Sequence, residues 1–406
     1  MQWVLVWKKG ESGKMIGIAF RKEVSMANYQ DLFQRIYYIS DAIRKFELIT
    51  QENKIIGLTL DFDSEKVSFN ELEKKVNLLI EQEFNKNLSI PSKVKWKSKV
   101  QSRTYFKNIF QVMEEQGEAF EMGEGLVAVG QKFMKVYEFF DQQLKSIVMS
   151  NFNAKEYQYP TLLSYKALEK INYMNSFPQF LMFITHLHNE IDTYYKVQDS
   201  QMGYEEYIKM SDGIGHCLPP TMCYHTYQQY SGRQIPREGI VITSRGKSFR
   251  YESKYYKNLE RLWDFTIREI VFMGDNDFVF KNNREILLQK VIELFDTIGL
   301  IGVCQSASDP FFADESMLDR RAIQMLKESK YEFRLNVDAE HTIAVGSSNL
   351  HNDYFGKAFD LKFADGDTIK TSCLGFGLER LTYAFFCQFG LDESKWPLFV
   401  RKRWNV

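Results

Sequence analysis

The sequence predicts an α+β protein: an antiparallel sheet flanked by helices, preceded by a small α/β unit. Two observations carry this. From about residue 105 onward the strand-like segments are separated by irregular stretches rather than by regular βαβ units, which argues against a parallel doubly wound sheet. Before that, a basic, proline-containing stretch, Ile90-Pro91-Ser92-Lys93-Val94-Lys95-Trp96-Lys97-Ser98-Lys99, marks a boundary, giving units 1–100 and 101–406.

In the first unit, Trp3 to Trp7 and Ile16 to Phe20 read as strands. Asn28 to Phe46 reads as a helix, with apolar spacing at Leu32, Ile36, Ile39 and Ile43. Ile55 to Phe62 is a further strand, and Ser68-Phe69-Asn70-Glu71 opens a helix to Phe84 with a capping-box pattern. The second unit predicts helices at 131–148, 162–172, 178–193, 258–272, 283–298 and 318–328. Its strands are expected at 239–243, 247–253, 332–337, 341–346, 358–363 and 370–375.

Composition narrows the function classes. The 52 basic and 53 acidic residues nearly cancel, so there is no global electrostatic footprint for nucleic acid. The first 100 residues hold 17 basic and 13 acidic residues, interleaved as on a solvated surface. Apolar runs such as Phe177 to Ile184 are far short of a membrane span, and the N-terminus lacks a signal-peptide pattern, so a cytoplasmic protein is expected. Five widely spaced cysteines, Cys217, Cys223, Cys304, Cys373 and Cys387, do not form a disulfide framework.

Two arginine motifs carry chemistry. In Phe249-Arg250-Tyr251-Glu252, Arg250 and Glu252 lie on one face of an expected strand. An arginine there can grip a phosphate through paired hydrogen bonds, and the glutamate can accept from an adenine amino group. Arg261 and Phe265 follow, on one face of an expected helix, where Phe265 can stack on a base. In Gly375-Phe376-Gly377-Leu378-Glu379-Arg380 the glycines let backbone approach a nucleotide and Arg380 can meet a terminal phosphate at a helix start. Taken alone, the first stretch also reads as a surface Arg–Glu pair beside a core Phe, and the second as a common turn. No Walker A string and no complete dinucleotide fingerprint is present. Cys223, Glu269 and Cys373 offer two thiolates and a carboxylate, a three-ligand zinc set with an open position, but lie far apart in sequence. His216, His225 and the extra thiol of Cys217 are rival ligands.

Together, in this order, the motifs resemble the ATP site of class II aminoacyl-tRNA synthetases. Over nearly all of 105–400 the chain resembles the amino acid:[carrier protein] ligases, relatives of the catalytic domain of the atypical methanogen-type seryl-tRNA synthetases. The resemblance runs through Tyr159-Pro160-Thr161-Leu162, Ser176-Phe177-Pro178-Gln179, Leu218-Pro219-Pro220-Thr221-Met222-Cys223-Tyr224 and Asp264-Phe265-Thr266-Ile267-Arg268-Glu269. It continues through Ser308-Asp309-Pro310-Phe311-Phe312, Lys330-Tyr331-Glu332, Ser347-Ser348-Asn349-Leu350-His351 and the Cys373 to Arg380 segment.

The resemblance implies a class II sheet, a homodimer formed through the first of these regions, and a reaction. A small amino acid of the Gly/Ala/Ser class would be activated by ATP and Mg²⁺ to an aminoacyl-adenylate, then passed to the phosphopantetheine thiol of a carrier protein. Arg250 would neutralise the α-phosphate, Glu252 and Phe265 would hold adenine, and Arg261 and Arg380 the outer phosphates. Lys330, Ala344, Val345, Gly346, Ser347 and Gly377 would complete the nucleotide pocket. Cys223, Glu269 and Cys373 would hold Zn²⁺ for the substrate amine, with Asp309 and Asn349 on the amino-acid side. Charging of tRNA is the competing reading, disfavoured by the lack of a long basic or coiled-coil arm. A non-catalytic paralogue is a third, opposed by the presence of the arginines and all three metal ligands together.

Overall fold

The computed structural model describes residues 15–84, 92–199, 201–308 and 327–402. The expected strand at 3–7, most of the expected helix at 318–328, and Asp309 lie outside the described residues.

The N-terminal unit is a three-stranded antiparallel sheet of β1 (Ile16–Ser25), β2 (Ile43–Gln51) and β3 (Lys54–Phe62), with β3 central. Helices α1 (Tyr29–Ile36) and α2 (Phe69–Glu83) accompany it. It has its own hydrophobic cluster, in which Leu32 and Ile36 of α1 and Leu72, Val76 and Ile80 of α2 pack with Ile18, Leu58 and Leu60. Ser68 caps α2 by accepting from the Glu71 N–H, as the sequence pattern predicts. The helix expected over 28–46 stops at Ile36. Ser40-Asp41 then turns the chain, and Ile43 starts a strand that pairs with Phe62.

The rest of the chain is organised by an eight-stranded sheet. Its strands are β4 (Val94–Lys97), β5 (Lys155–Tyr157), β6 (Ile240–Phe249), β7 (Asp264–Gly274), β8 (Gly302–Ser306), β9 (Lys330–Asn336), β10 (Thr342–Asn352) and β11 (Lys370–Gly377). The order is β4-β8-β9-β10-β11-β7-β6-β5, antiparallel throughout except for the short β6–β5 pair. The basic stretch read as a boundary thus carries the first edge strand of this sheet.

One face is covered by α3 (Gln131–Phe152), α5 (Glu285–Ile298) and α6 (Leu378–Phe389). Phe133, Phe140, Phe295, Phe333, Phe376 and Phe385, all fully buried, form the core of that layer. Aromatic side chains of this size bury large apolar areas, so this layer supplies most of the packing energy. The other face carries α4 (Cys223–Tyr230), the helix Tyr354–Ala358 and a small second sheet made from Leu163–Ser164, Phe183–Leu187 and Ser211–Cys217.

Four expectations are corrected. Residues 258–272 are not a helix: Asn258–Glu260 is one 3-10 turn and Asp264 onward is β7, buried on both faces, so its apolar run lacks strand-like alternation. Residues 178–193 are likewise split into a 3-10 turn at Pro178–Phe180, a strand and the start of the helix Ile191–Asp199. The strands expected at 239–243 and 247–253 are one strand ending at Phe249, so Arg250 and Glu252 lie beyond it. Residues 358–363 give a helix end and the two-residue strand Lys362–Phe363.

Arg268 of β7 points to the helical layer. Its guanidinium donates to both oxygens of Asp141 on α3, at 2.6 and 2.9 Å, and to Glu156 at 3.0 Å. Arg245 of β6 also reaches Asp141, at 3.1 Å. Both partners of the Arg268–Asp141 pair are almost completely buried. Removing one partner strands a buried charge, which costs about 3 kcal/mol or more. Asp141→Ala is therefore expected to lower the thermal unfolding midpoint strongly. A midpoint unchanged within error would show that the pair does not fix α3 on the sheet.

Candidate functional site

Strand register puts the site together. Across β9, β10, β11 and β7 the facing pairs include Lys330 with Asn349, Glu332 with Ser347, Asn349 with Cys373, Ser347 with Gly375, and Gly375 with Glu269. Residues directly opposite, and residues two apart, share a face. Lys330, Glu332, Ser347, Asn349, Cys373, Gly375, Gly377, Glu269, Ile267 and Phe265 thus line one surface of the sheet, away from α3. Gly375 has a steric reason to be glycine. A Cβ there would sit 3.1 Å from a Glu269 carboxylate oxygen. A Cβ on Gly377 would meet nothing within 4 Å, so the backbone there borders open space.

On this surface the thiols of Cys223 and Cys373 and a carboxylate oxygen of Glu269 lie within 4.8 Å of one another, all three residues buried. Cys223 comes from the first residue of α4. Thr221 donates to Glu269 at 3.3 Å, while Glu269 Oε1 is buried without a hydrogen-bond partner. Burial pushes the Glu269 carboxyl up to about 7. Cys373 is held well above its ordinary range by its hydrogen bond with Cys223, by burial and by the Glu269 charge. Two thiols and a carboxyl buried together, with an orphaned carboxylate oxygen among them, form a donor set that a cation would satisfy. Among the described residues no other group of three such ligands is close enough to hold an ion.

The rival ligands are elsewhere. The Cys217 thiol donates to the Leu163 carbonyl and is pushed up to about 11 by burial. His216 is exposed and contacts the Ile214 carbonyl. His225 stacks on Tyr159 and is pushed down by burial.

Tyr227 and His351 were not singled out as site residues from the sequence. Tyr227 is fully buried, one helical turn after Cys223 on α4, and its hydroxyl meets His351 Nδ1 at 3.3 Å. His351 Nε2 lies 3.8 Å from the Cys373 sulfur, and Asn349 Nδ2 donates to the same sulfur at 3.7 Å. The i, i+4 spacing from Cys223 was the signal available for Tyr227.

Beside this cluster three arginines converge. Arg250 donates through Nε to the Pro220 carbonyl, and its guanidinium lies 5.5 Å from the Phe265 ring centre. Arg261 follows the 3-10 turn, rather than sitting on a helix with Phe265. It donates to Glu252 at 2.8 Å and leaves its Nε buried without a partner. Arg380, near the start of α6, contacts the Ala344 carbonyl at 3.4 Å and is pushed down to about 10 by burial and by the nearby charges of Arg261 and Arg250. Glu379 orients that helix start by accepting from both the N–H and the hydroxyl of Thr266 on β7. Like charges held this close mark a place for a polyanion. Lys330 is buried and pairs with Glu332 at 3.2 Å. The Val345 side chain belongs to the helical-side core, so only its backbone is available to the pocket.

The proteins to which this chain is similar fall into two groups. It is 29% identical over 273 residues to amino acid--[acyl-carrier-protein] ligase 1 of Bradyrhizobium diazoefficiens, an alignment covering 66% of this chain and 82% of the relative. It is 25% identical over 280 residues to the type-2 serine--tRNA ligase of Methanococcus aeolicus, covering 66% of this chain and 53%, about half, of that protein. Among solved structures, the M. kandleri SerRS in complex with A. aeolicus tRNASec superposes with a TM-score of 0.68 at 18% identity, covering 96% of this chain and 77% of the other. The Pyrococcus horikoshii seryl-tRNA synthetase complexed with ATP gives 0.53 at 11% identity, covering 77% and 64%. No family model matches the chain.

The weakened acidity of the Glu269 carboxyl gives stability a pH dependence of definite sign. Its folded value, about 7, lies above the ordinary 4.5, so the folded state binds the proton more tightly. That contribution is full below about pH 4.5 and is lost as pH rises through about 7. Chelator-treated protein should therefore lose thermal stability relative to Glu269→Gln over that window, and added Zn²⁺ should restore it at the upper end. Identical pH profiles for the two proteins would contradict this account of the cluster.

In sequence the chain is similar to the amino acid--[acyl-carrier-protein] ligases and to the type-2 serine--tRNA ligases, and its fold is that of the class II aminoacyl-tRNA synthetases.

Proposed function

We propose that this protein activates a small amino acid with ATP and loads it onto the phosphopantetheine thiol of a carrier protein. The observation that carries the reading is the adjacency of the buried Cys223–Glu269–Cys373 cluster and three converging arginines, with Arg250 close enough to act on the Glu269 carboxyl. The first suits a substrate amine; the second suits the phosphates of a nucleotide.

In the first step a carboxylate oxygen of the amino acid attacks the α-phosphorus of ATP. The bond from that phosphorus to the bridging oxygen breaks, and pyrophosphate leaves with the electron pair. Arg250 neutralises charge at the α-phosphate, and Arg261 and Arg380 hold the outer phosphates together with Mg²⁺. Phe265 stacks on adenine while Glu252 accepts from its amino group. In the second step the thiol sulfur attacks the acyl carbon, AMP departs with the electrons of the broken C–O bond, and the thiol proton passes to solvent. No protein nucleophile is required, because positioning and charge neutralisation serve both steps. Cys223, Glu269 and Cys373 would hold zinc, a Lewis acid that binds the free α-amine.

Small side chains suit the space by the cluster. Tyr227, His351 and Phe355 wall it, with Tyr227 and His351 each 4.6 Å from Phe355 between ring centres. The N-terminal three-stranded unit would be accessory and the eight-stranded sheet, from β4 onward, the catalytic unit. A homodimer through the first-motif region fits the exposed Met134 and Met149 on α3 and the exposed Leu162. Among the described residues no helix is long and apolar enough to cross a membrane, and a cytoplasmic enzyme is proposed.

Loading of a carrier protein is favoured over charging of tRNA because the alignment spans 82% of the ligase's length against 53% of the serine--tRNA ligase's. Incubation with ATP, Mg²⁺ and an amino-acid panel, divided between a phosphopantetheinylated carrier protein and total tRNA, separates the two. An aminoacyl adduct on the carrier, seen by intact mass, is expected for glycine, alanine or serine. Charged tRNA with an unmodified carrier would overturn the proposal. Arg250→Ala should reduce amino-acid-dependent ATP–pyrophosphate exchange by about 10²–10³-fold, in line with loss of a transition-state charge donor.

A further inference from the structure

We infer that the N-terminal unit completes the nucleotide site, with Tyr38 as the positioning residue for Glu252. This rests on Glu252 reading adenine, as proposed above. The Tyr38 hydroxyl donates to Glu252 Oε2 at 3.1 Å, across more than 200 residues of sequence. Arg261 donates to the same oxygen at 2.8 Å. Both donors converge on Oε2, and among the described residues Oε1 accepts no hydrogen bond. One carboxylate oxygen is pinned; the other is presented.

The contact is built into the docking of the two units. Tyr38 lies in the turn after α1, and its ring meets Phe180 edge-on at 6.4 Å. Phe180 is tied to the motif itself, since its carbonyl accepts from the Tyr251 N–H. From the motif's loop, Lys254 donates to the carbonyls of Asp41 and Ile43, closing the turn from its other end. Tyr255 packs against Phe33 and Tyr37 of the N-terminal unit, with Arg261 over its ring at 4.3 Å. Burial and the Glu252 charge both raise the Tyr38 phenol, so it stays a donor across the working pH range.

A buried carboxylate with no fixed donor would rotate or draw Arg261 wholly to itself. The Tyr38 hydroxyl opposes both. It holds the plane of the Glu252 carboxylate for the exocyclic amine of adenine and leaves Arg261 able to reach phosphate. The consequence is a base-selectivity role for a unit that contributes no residue to the chemistry.

Tyr38→Phe keeps the ring and deletes only the hydroxyl. The test compares binding of ATP with that of purine riboside triphosphate, which lacks the exocyclic amine, by titration calorimetry, and KM with kcat by pyrophosphate exchange. Wild type is expected to prefer ATP. Tyr38→Phe should weaken ATP binding about tenfold, raise KM in parallel, leave kcat within twofold and leave the analogue's affinity unchanged, so that the preference collapses. Equal weakening of both nucleotides, or no change in either, would overturn the role of Tyr38 while leaving the ATP site standing. Wild type that binds ATP and the analogue equally would overturn the reading of Glu252 and this inference with it. Wild type that binds neither would overturn the proposed function too. Should Tyr38→Phe fail to fold, Lys254→Met frees the same turn without altering Tyr38 or Glu252, and the same ratio decides.

Discussion

The antiparallel register of β11 between β7 and β10 is the constraint on which the site depends. It sets Gly375 opposite Glu269 and Cys373 opposite Asn349. A slip of one residue would turn the Cys373 thiol into the aromatic core under α6 and put Leu374 on the site surface. The same register is fixed from behind. Arg268, next to Glu269, necessarily faces the other way, where Asp141 of α3 clamps it. The structural pair and the functional carboxylate are neighbours on one strand, so the helical layer and the site cannot shift independently.

Two concentrations of like charge lie side by side on that surface. Cys223, Glu269 and Cys373 form a buried acidic group, in which burial raises Glu269, and Cys373 is raised by its hydrogen bond with Cys223, by burial and by the Glu269 charge. Arg250, Arg261 and Arg380 form a basic one, partly balanced by Glu252. Neither is a comfortable arrangement for a protein interior without ligands. Their pairing matches a substrate with an amine at one end and a nucleotide at the other. The N-terminal unit enters through Glu252, the carboxylate paired with Arg261. This gives a physical reason for its position against the loop after β6.

Part of each unit is legible in the sequence where its signals are local. The helices α3 and α5 show plain apolar periodicity, and the Ser68 cap needs only four residues to be read. The central strand β7 reads as helix in the sequence because both its faces are buried. Its run of Ile267, Ile270, Val271 and Phe272 therefore does not alternate, and the sequence carries no periodic clue to pairing. The spacing overextends helix α1 because Ile39 and Ile43 continue it by coincidence; the chain leaves the helix after Ile36 and turns at Ser40-Asp41. The metal ligands could be gathered only through a family resemblance, since Cys223, Glu269 and Cys373 come from a helix start and two strands distant in sequence. Tyr38 was beyond reach for a stronger reason. Its partner lies in the other unit, and a tyrosine at a helix end has no pattern that announces such a contact.

The central claim is that the Cys223–Glu269–Cys373 cluster is a cation site serving the substrate amine. Metal analysis of the protein purified without chelators, beside Cys373→Ser, tests it most directly. The account predicts about one zinc ion per chain, lost in the variant while the circular dichroism spectrum is retained. A wild-type protein that is free of metal yet fully active in amino-acid-dependent ATP–pyrophosphate exchange would contradict it.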